Sequence, residues 1–182
     1  RWIETIENTK DHLNEADHLT FISDRESDIY ELWDRVLDEK TDLIIRLRSE
    51  RSLYDDERNL RERLGDAPLL GTYLREIKAD RRKKRSKHMA KLELRSARVK
   101  IARPQRADKQ AADYIELTAV EVKESPETVK NGETPIHWIL LTSLKAETYE
   151  AVKETARKYA MRWQIEQLFR VSKQKGLQME SS

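Results

Sequence analysis

Leu43-Ile-Ile45 is the stretch that most limits what this chain can fold into. Three large apolar residues follow one another between Asp42 and Arg46. Neighbouring residues in a strand point to opposite faces. Such a run therefore expects burial on both faces, as strands inside an α/β fold have. Ile136-His-Trp-Ile-Leu-Leu-Thr142 is a second strand of this buried type. Leu19-Thr-Phe-Ile-Ser-Asp24 is a shorter strand-like run that ends in an acidic cluster. The chain after it turns helical, with Ile29, Leu32, Trp33, Val36 and Leu37 at core spacing. Residues 1–18 read as an amphipathic helix whose apolar face is Trp2, Ile3, Ile6 and Leu13. Residues 49–68 are polar and read as loop or short helix.

The pattern then changes. Residues 69–78 and 91–101 alternate apolar and polar, as half-buried strands do. The second run shifts phase near Arg95–Ala97, which a bulge would allow. Residues 112–123 alternate again, and Asn131-Gly132 is a strong turn signal before the next strand. The expected organisation is α/β, with an antiparallel β region at 69–130 inserted between a first part at 1–68 and a last part at 131–182.

Charge is segregated along this plan. Charged residues make up 38% of the 182 residues, yet the net charge is only +2. Residues 75–106 hold fourteen Lys or Arg against three acids, a local charge of +11. Such a stretch fits contact with a phosphate backbone and carries no sequence readout. A solvated basic hairpin has the same composition. The chain has no cysteine, which removes disulfides, thiolate zinc sites and cysteine nucleophiles. The four histidines, His12, His18, His88 and His137, show no ligand spacing. No apolar run approaches the roughly 20 residues of a membrane span, so no membrane partner is expected. The opening residues do not read as a signal peptide, and none is expected. The opening on Arg1 suggests an internal piece of a longer protein.

Two places carry candidate chemistry. Asp24 closes a strand just before a helix, a common position for a catalytic or metal-binding carboxylate in α/β proteins. Asp is also among the best helix N-caps, and position alone leaves both roles open. The second place is the helix through Tyr159–Lys173. At about 100° per residue, Tyr159, Arg162, Glu166 and Lys173 fall in a strip about 60° wide. Met161, Ile165, Leu168 and Phe169 make the expected core stripe on another side. A charged helix strip is most often plain solvated surface. This one sets a carboxylate among two cations and a phenol without repeats, which suits a metal-assisted phosphodiester site. Arg46 and Arg48 lie on one side of their strand, two residues apart. Trp138 is core by default, or a base-stacking residue if exposed beside a nucleic-acid groove.

Asp24-Arg-Glu-Ser-Asp28 at a strand end, together with Tyr-x2-Arg-x3-Glu-x6-Lys on the late helix, resembles the cut-and-paste DDE transposases of the insertion-sequence-four family. The likeness runs over nearly the whole chain and includes Leu-Arg-Ser at 94–96, Gly-Glu-Thr-Pro at 132–135 and Trp-x-Leu-Leu-Thr at 138–142.

The resemblance implies an RNase H-like core interrupted by a β insertion, with carboxylates holding two Mg²⁺ or Mn²⁺ ions. Asp24 matches the second Asp of the triad and Glu166 its Glu. Tyr159, Arg162 and Lys173 match residues that hold transposon-end DNA, and Arg46 looks like a further phosphate contact, with Arg48 beside it. Trp138 matches a Trp that stacks on a flipped base during hairpin formation. Glu26 and Asp28 look like supports for the site. The implied partners are double-stranded transposon-end DNA, target DNA and a second protomer in a synaptic complex, in a bacterial cytoplasm. The chain departs from the family in one respect: only 23 residues precede Asp24, so the first Asp and its strand are missing and the core is incomplete at its N-terminus. The expectation is that the isolated chain is catalytically inert. A truncated or domesticated relative that binds DNA without transposing it is the alternative.

Overall fold

The computed structural model describes residues 2–80 and 85–174, with side chains through residue 162. The elements in chain order are α1 (Trp2–His12), β1 (Leu19–Ser23), α2 (Tyr30–Val36), β2 (Thr41–Arg46), α3 (Leu60–Gly65), β3 (Gly71–Ile77), β4 (His88–Ala102), β5 (Tyr114–Glu124), β6 (His137–Thr142) and α4 (Tyr149–Gln174). Among the described residues six strands form one sheet in the order β1-β2-β6-β5-β4-β3. β1 and β2 run parallel and every other pairing is antiparallel. The result is a mixed α/β fold compatible with a DDE-type nuclease core. The three strands of the 69–130 region continue the sheet directly from β6.

Both faces of the sheet are covered. Leu43, Ile45, Leu47, Ile139 and Leu141 join a core with Ile6 of α1, Trp33 and Val36 of α2, and Leu60 and Leu64 of α3. Ile44, Leu140, Val120 and Val122 join a second core with Val152, Ala156 and Tyr159 of α4. β2 and β6 are buried on both sides, which is why their sequences run apolar without alternation.

β4 changes core partway along. Ala90, Leu92 and Leu94 face α4, whereas Ala97, Val99 and Ile101 face α2 and α3. The expected bulge is absent. The β4–β5 register runs unbroken from Leu92↔Glu124 to Ala102↔Tyr114. The phase shift in the sequence marks the switch from one covering layer to the other.

Other local expectations need correction. α1 ends at His12, and Trp2 and Leu13 are exposed, leaving Ile6 as its buried anchor. Ile29 precedes α2 and is exposed, while Tyr30 takes the buried place. α3 starts on a reciprocal capping box between Asn59 and Glu62. β2 ends at Arg46, so Arg48 does not share a strand face with it. On α4 the expected faces are reversed where side chains are described. Tyr159 is fully buried and Met161 is 43% exposed. The phenol side of the helix packs on the sheet, because small residues there (Ala156, Ala160) let the helix approach closely.

Candidate active site

Asp24 directly follows β1. Since Ser23 pairs with Ile45 in the parallel register, Asp24 falls beside Arg46 at the end of β2. A 3-10 turn, Arg25–Ser27, begins after it. Asp24 occupies the N-cap position in an extended conformation, yet its side chain makes no capping hydrogen bond. The carboxylate instead reaches α4. Tyr159 Oη donates to Oδ1 at 3.2 Å and Arg162 Nη2 to Oδ2 at 3.1 Å. Burial pushes the Asp24 carboxyl up, but the Arg25 backbone N–H, Arg162, Tyr159 and Arg46 together outweigh it and hold the group below its ordinary value. It is therefore a carboxylate at neutral pH.

Tyr159 is held for this contact. Burial and the Asp24 charge raise its phenol above 10.0, against the opposing pull of Arg46 and Arg162, so it keeps its proton and can only act as the donor toward Asp24. Its ring meets Trp138 edge to face, with centroids 5.4 Å apart. The Arg162 guanidinium lies 5.8 Å from the same ring. Trp138 is half-buried in β6, and the Arg75 guanidinium from β3 stands 5.7 Å from its ring. Arg46 Nη2 donates to the His137 carbonyl at 3.4 Å, which ties the end of β2 to the start of β6. Asp24, Arg46, Trp138, Tyr159 and Arg162 thus meet at one corner of the sheet, under α4.

The backbone of α4 continues through Glu166 and Lys173, whose side chains lie outside the described residues. Glu166 is about one turn, or 6 Å, beyond Arg162 along the axis. Glu26 is exposed. Asp28 is buried away from solvent and accepts from the Arg48 N–H at 2.6 Å, the Ser49 N–H at 3.2 Å and Arg51 Nη2 at 2.5 Å. Arg51 in turn lies 4.8 Å from the Trp33 ring. Asp28 therefore fastens the loop after β2 to the helical layer below the corner. The Arg48 side chain is exposed beyond the strand.

The basic segment is more neutral than its composition suggests. Lys87, Lys91, Arg95, Arg98, Lys100 and Arg103 are each ion-paired with a carboxylate on the same or a neighbouring segment. The pairing follows from the antiparallel ladder. β5 and the adjoining loops set acids opposite the β4 cations, and cross-strand opposite charges attract. Residues 81–84 of the run lie outside the described residues. Arg75 belongs to this segment, and its place over Trp138 leaves no trace in the sequence, because β6 comes much later in the chain and is not hydrogen-bonded to β3.

The family model of the transposase DDE domain matches residues 2–182. The chain belongs to that family. DDE transposase domains cut and rejoin DNA in transposition and generally depend on divalent metal ions. Asp24 fits that requirement as one ligand: it is an ionised hard-oxygen donor, 40% exposed, with about four lone-pair sites against its contacts with Tyr159, Arg162 and the Arg25 N–H. Among the described residues of this DDE domain no three His, Cys, Asp or Glu side chains converge. Glu166, the other carboxylate expected at the site, has its side chain outside the described residues.

Proposed function

We propose that this DDE domain acts at transposon ends, with Asp24 and Glu166 as metal ligands, in the insertion-sequence-four branch and in the manner of the transposon five transposase. The observation that carries the reading is the convergence of Tyr159 and Arg162 on Asp24 from a helix that continues through Glu166. Under this reading residues 1–68 and 131–182 are the two parts of an RNase H-like core, and 69–130 is the β insertion. The setting is a homodimeric complex on DNA in a bacterial cytoplasm.

Each residue then has a physical task. Asp24 offers an oxygen that stays ionised at neutral pH. Tyr159 fixes the carboxylate rotamer, and Arg162 balances its charge while facing the scissile phosphate. Arg46, Arg48 and Lys173 neutralise neighbouring phosphates. Trp138 gives a half-exposed ring on which an unpaired base can stack while a hairpin end forms. A bound Mg²⁺ or Mn²⁺ supplies Lewis-acid stabilisation of the phosphoryl oxygens and a more acidic attacking water or 3′-hydroxyl. Hydrolysis, hairpin formation and strand transfer are successive uses of that one corner.

The test is a Mn²⁺ titration of the purified chain, its Glu166→Ala variant and its Asp24→Asn variant, followed by incubation with labelled duplex DNA. Weaker Mn²⁺ binding in both variants, with stability changed by only tenths of a kcal/mol in Glu166→Ala, supports the ligand assignment. Unchanged binding overturns it. Metal-dependent nicking by the wild-type chain overturns the expectation that it is inert without the first Asp, whereas DNA binding without nicking agrees with that expectation.

A further inference from the structure

An open groove of about 460 Å³ runs between β3 and the first turns of α4. Tyr73, Arg75, Tyr149 and Lys153 line it. Lys153 Nζ is held over two rings at once, 5.6 Å from Tyr73 and 5.4 Å from Tyr149. Tyr149 is itself pinned, because its hydroxyl donates to the Thr72 carbonyl at 3.1 Å. Its ring lies where a Cβ on Gly71 would come within 2.6 Å, so the bare backbone of Gly71 makes room for it. An ammonium carried by a flexible four-carbon stem is thereby given a defined place.

The charge of the groove follows from what is already paired. Glu154 is taken up by Arg157 in a two-pronged contact at 2.6 and 2.7 Å. Neither Arg75 nor Lys153 is ion-paired among the described residues. Glu150 is the remaining acid of the lining, so two positioned cations face one carboxylate. Arg75 also joins the groove to the catalytic corner. It lies over Trp138, and Trp138 abuts Tyr159, which holds Asp24.

We propose that this groove is a second phosphate-binding track, in which Arg75 and Lys153 hold the backbone of duplex DNA that extends away from the Asp24 corner. The inference rests on the proposed action at DNA and adds where the flanking backbone runs. Lys153 precedes Arg162 by nine positions on α4, about 14 Å along the axis. Successive phosphates of one strand are about 3.4 Å apart along a duplex. The track therefore reaches about four phosphates from the site. The rings carry cations on their faces, so the groove contacts backbone and selects no base.

The test uses a fluorescein-labelled blunt duplex of about two helical turns, with its dissociation constant measured by anisotropy across a salt series. Arg75→Met with Lys153→Met removes both charges and keeps the chain stems that pack on the rings. Each phosphate contact contributes about 0.9 to the salt slope, so this pair should flatten the slope by about 2. Lys40→Met with Lys109→Met removes two exposed cations away from the groove and should leave the slope at its wild-type value. Lys153→Arg alone should also keep it. A slope unchanged in the groove variant, with duplex binding intact, overturns the track and leaves the corner standing. An equal loss in the Lys40 and Lys109 variant overturns it as well, by showing unplaced attraction. If the wild-type chain binds no duplex at low salt, the track and the proposed function fail together.

Discussion

Tyr159 and Asp24 are 135 positions apart in sequence and joined by a 3.2 Å hydrogen bond. The bond closes a loop of chain that contains all of β2 to β6, so the geometry of the corner depends on the whole sheet. It also places a buried phenol on a carboxylate whose pKa is held below its ordinary value.

Tyr159→Phe keeps the ring against Trp138 and deletes the donor. The loss should cost about 0.5–1.5 kcal/mol, the usual net value of such a bond. One of the influences that lower the Asp24 pKa disappears, so its carboxyl should titrate higher. A group with a depressed folded pKa stabilises above its unfolded value, and that contribution is lost as pH falls through the folded value. The Asp24 share of acid-side stability should therefore begin to fade at a higher pH in the variant. Urea unfolding and carboxyl-carbon NMR titration read both effects.

His88 and Glu124 form a pair whose side chains are 6% and 1% exposed, with His88 Nε2 2.7 Å from Glu124 Oε1. A hydrogen bond with the Ser86 carbonyl raises the His88 pKa; burial opposes it and Glu124 adds to it, leaving the value above 6.5. The stabilisation is then complete below about 6.5 and lost as pH rises through the folded value. The urea midpoint of the wild-type chain should fall between pH 6 and pH 9, and His88→Gln should flatten that dependence. Parallel curves for the two proteins would show that the pair does not set the pH response.

Asp28 and Arg51 are a second buried couple, 0% and 12% exposed. Asp28→Ala strands the Arg51 guanidinium against Trp33 and removes the acceptor for two backbone N–H groups. Breaking a buried pair from one side costs about 3–5 kcal/mol. Removing Arg51 as well should restore part of that, which a double-mutant cycle in urea would measure.

Gly71→Ala drives a methyl into the Tyr149 ring at 2.6 Å. The ring is fixed by its own hydroxyl, so the clash should cost about 1–3 kcal/mol, as overpacking does. Gly71→Ala combined with Tyr149→Ala should be less destabilised than the sum of the two changes. Simple additivity in thermal melts would mean that the ring moves aside freely.

The central strands were legible because burial on both faces leaves an unbroken apolar run at Leu43–Ile45 and Ile139–Leu141. Asp24 was legible as a strand-end carboxylate, but that its side chain leaves the cap position free and reaches Tyr159 and Arg162 on α4 was not. Up to residue 162, where side chains are described, the inward face of α4 was misread because helical periodicity ranks faces by apolarity. Tyr159 enters the core with its hydroxyl bonded to Asp24, while Met161 stays outside. The charge of β4 looked open to phosphate because its neutralising acids, such as Glu116, Glu121 and Asp55, lie on other segments. The apparent bulge near Ser96 was a true periodicity change with a different origin.

That change of face along β4 has a mechanical consequence. One continuous strand belongs to both hydrophobic cores, so neither can melt while the other keeps β4 in place. The chain from α1 to α4 should accordingly denature in a single cooperative transition, with the hairpin region and the Asp24 corner lost at the same temperature.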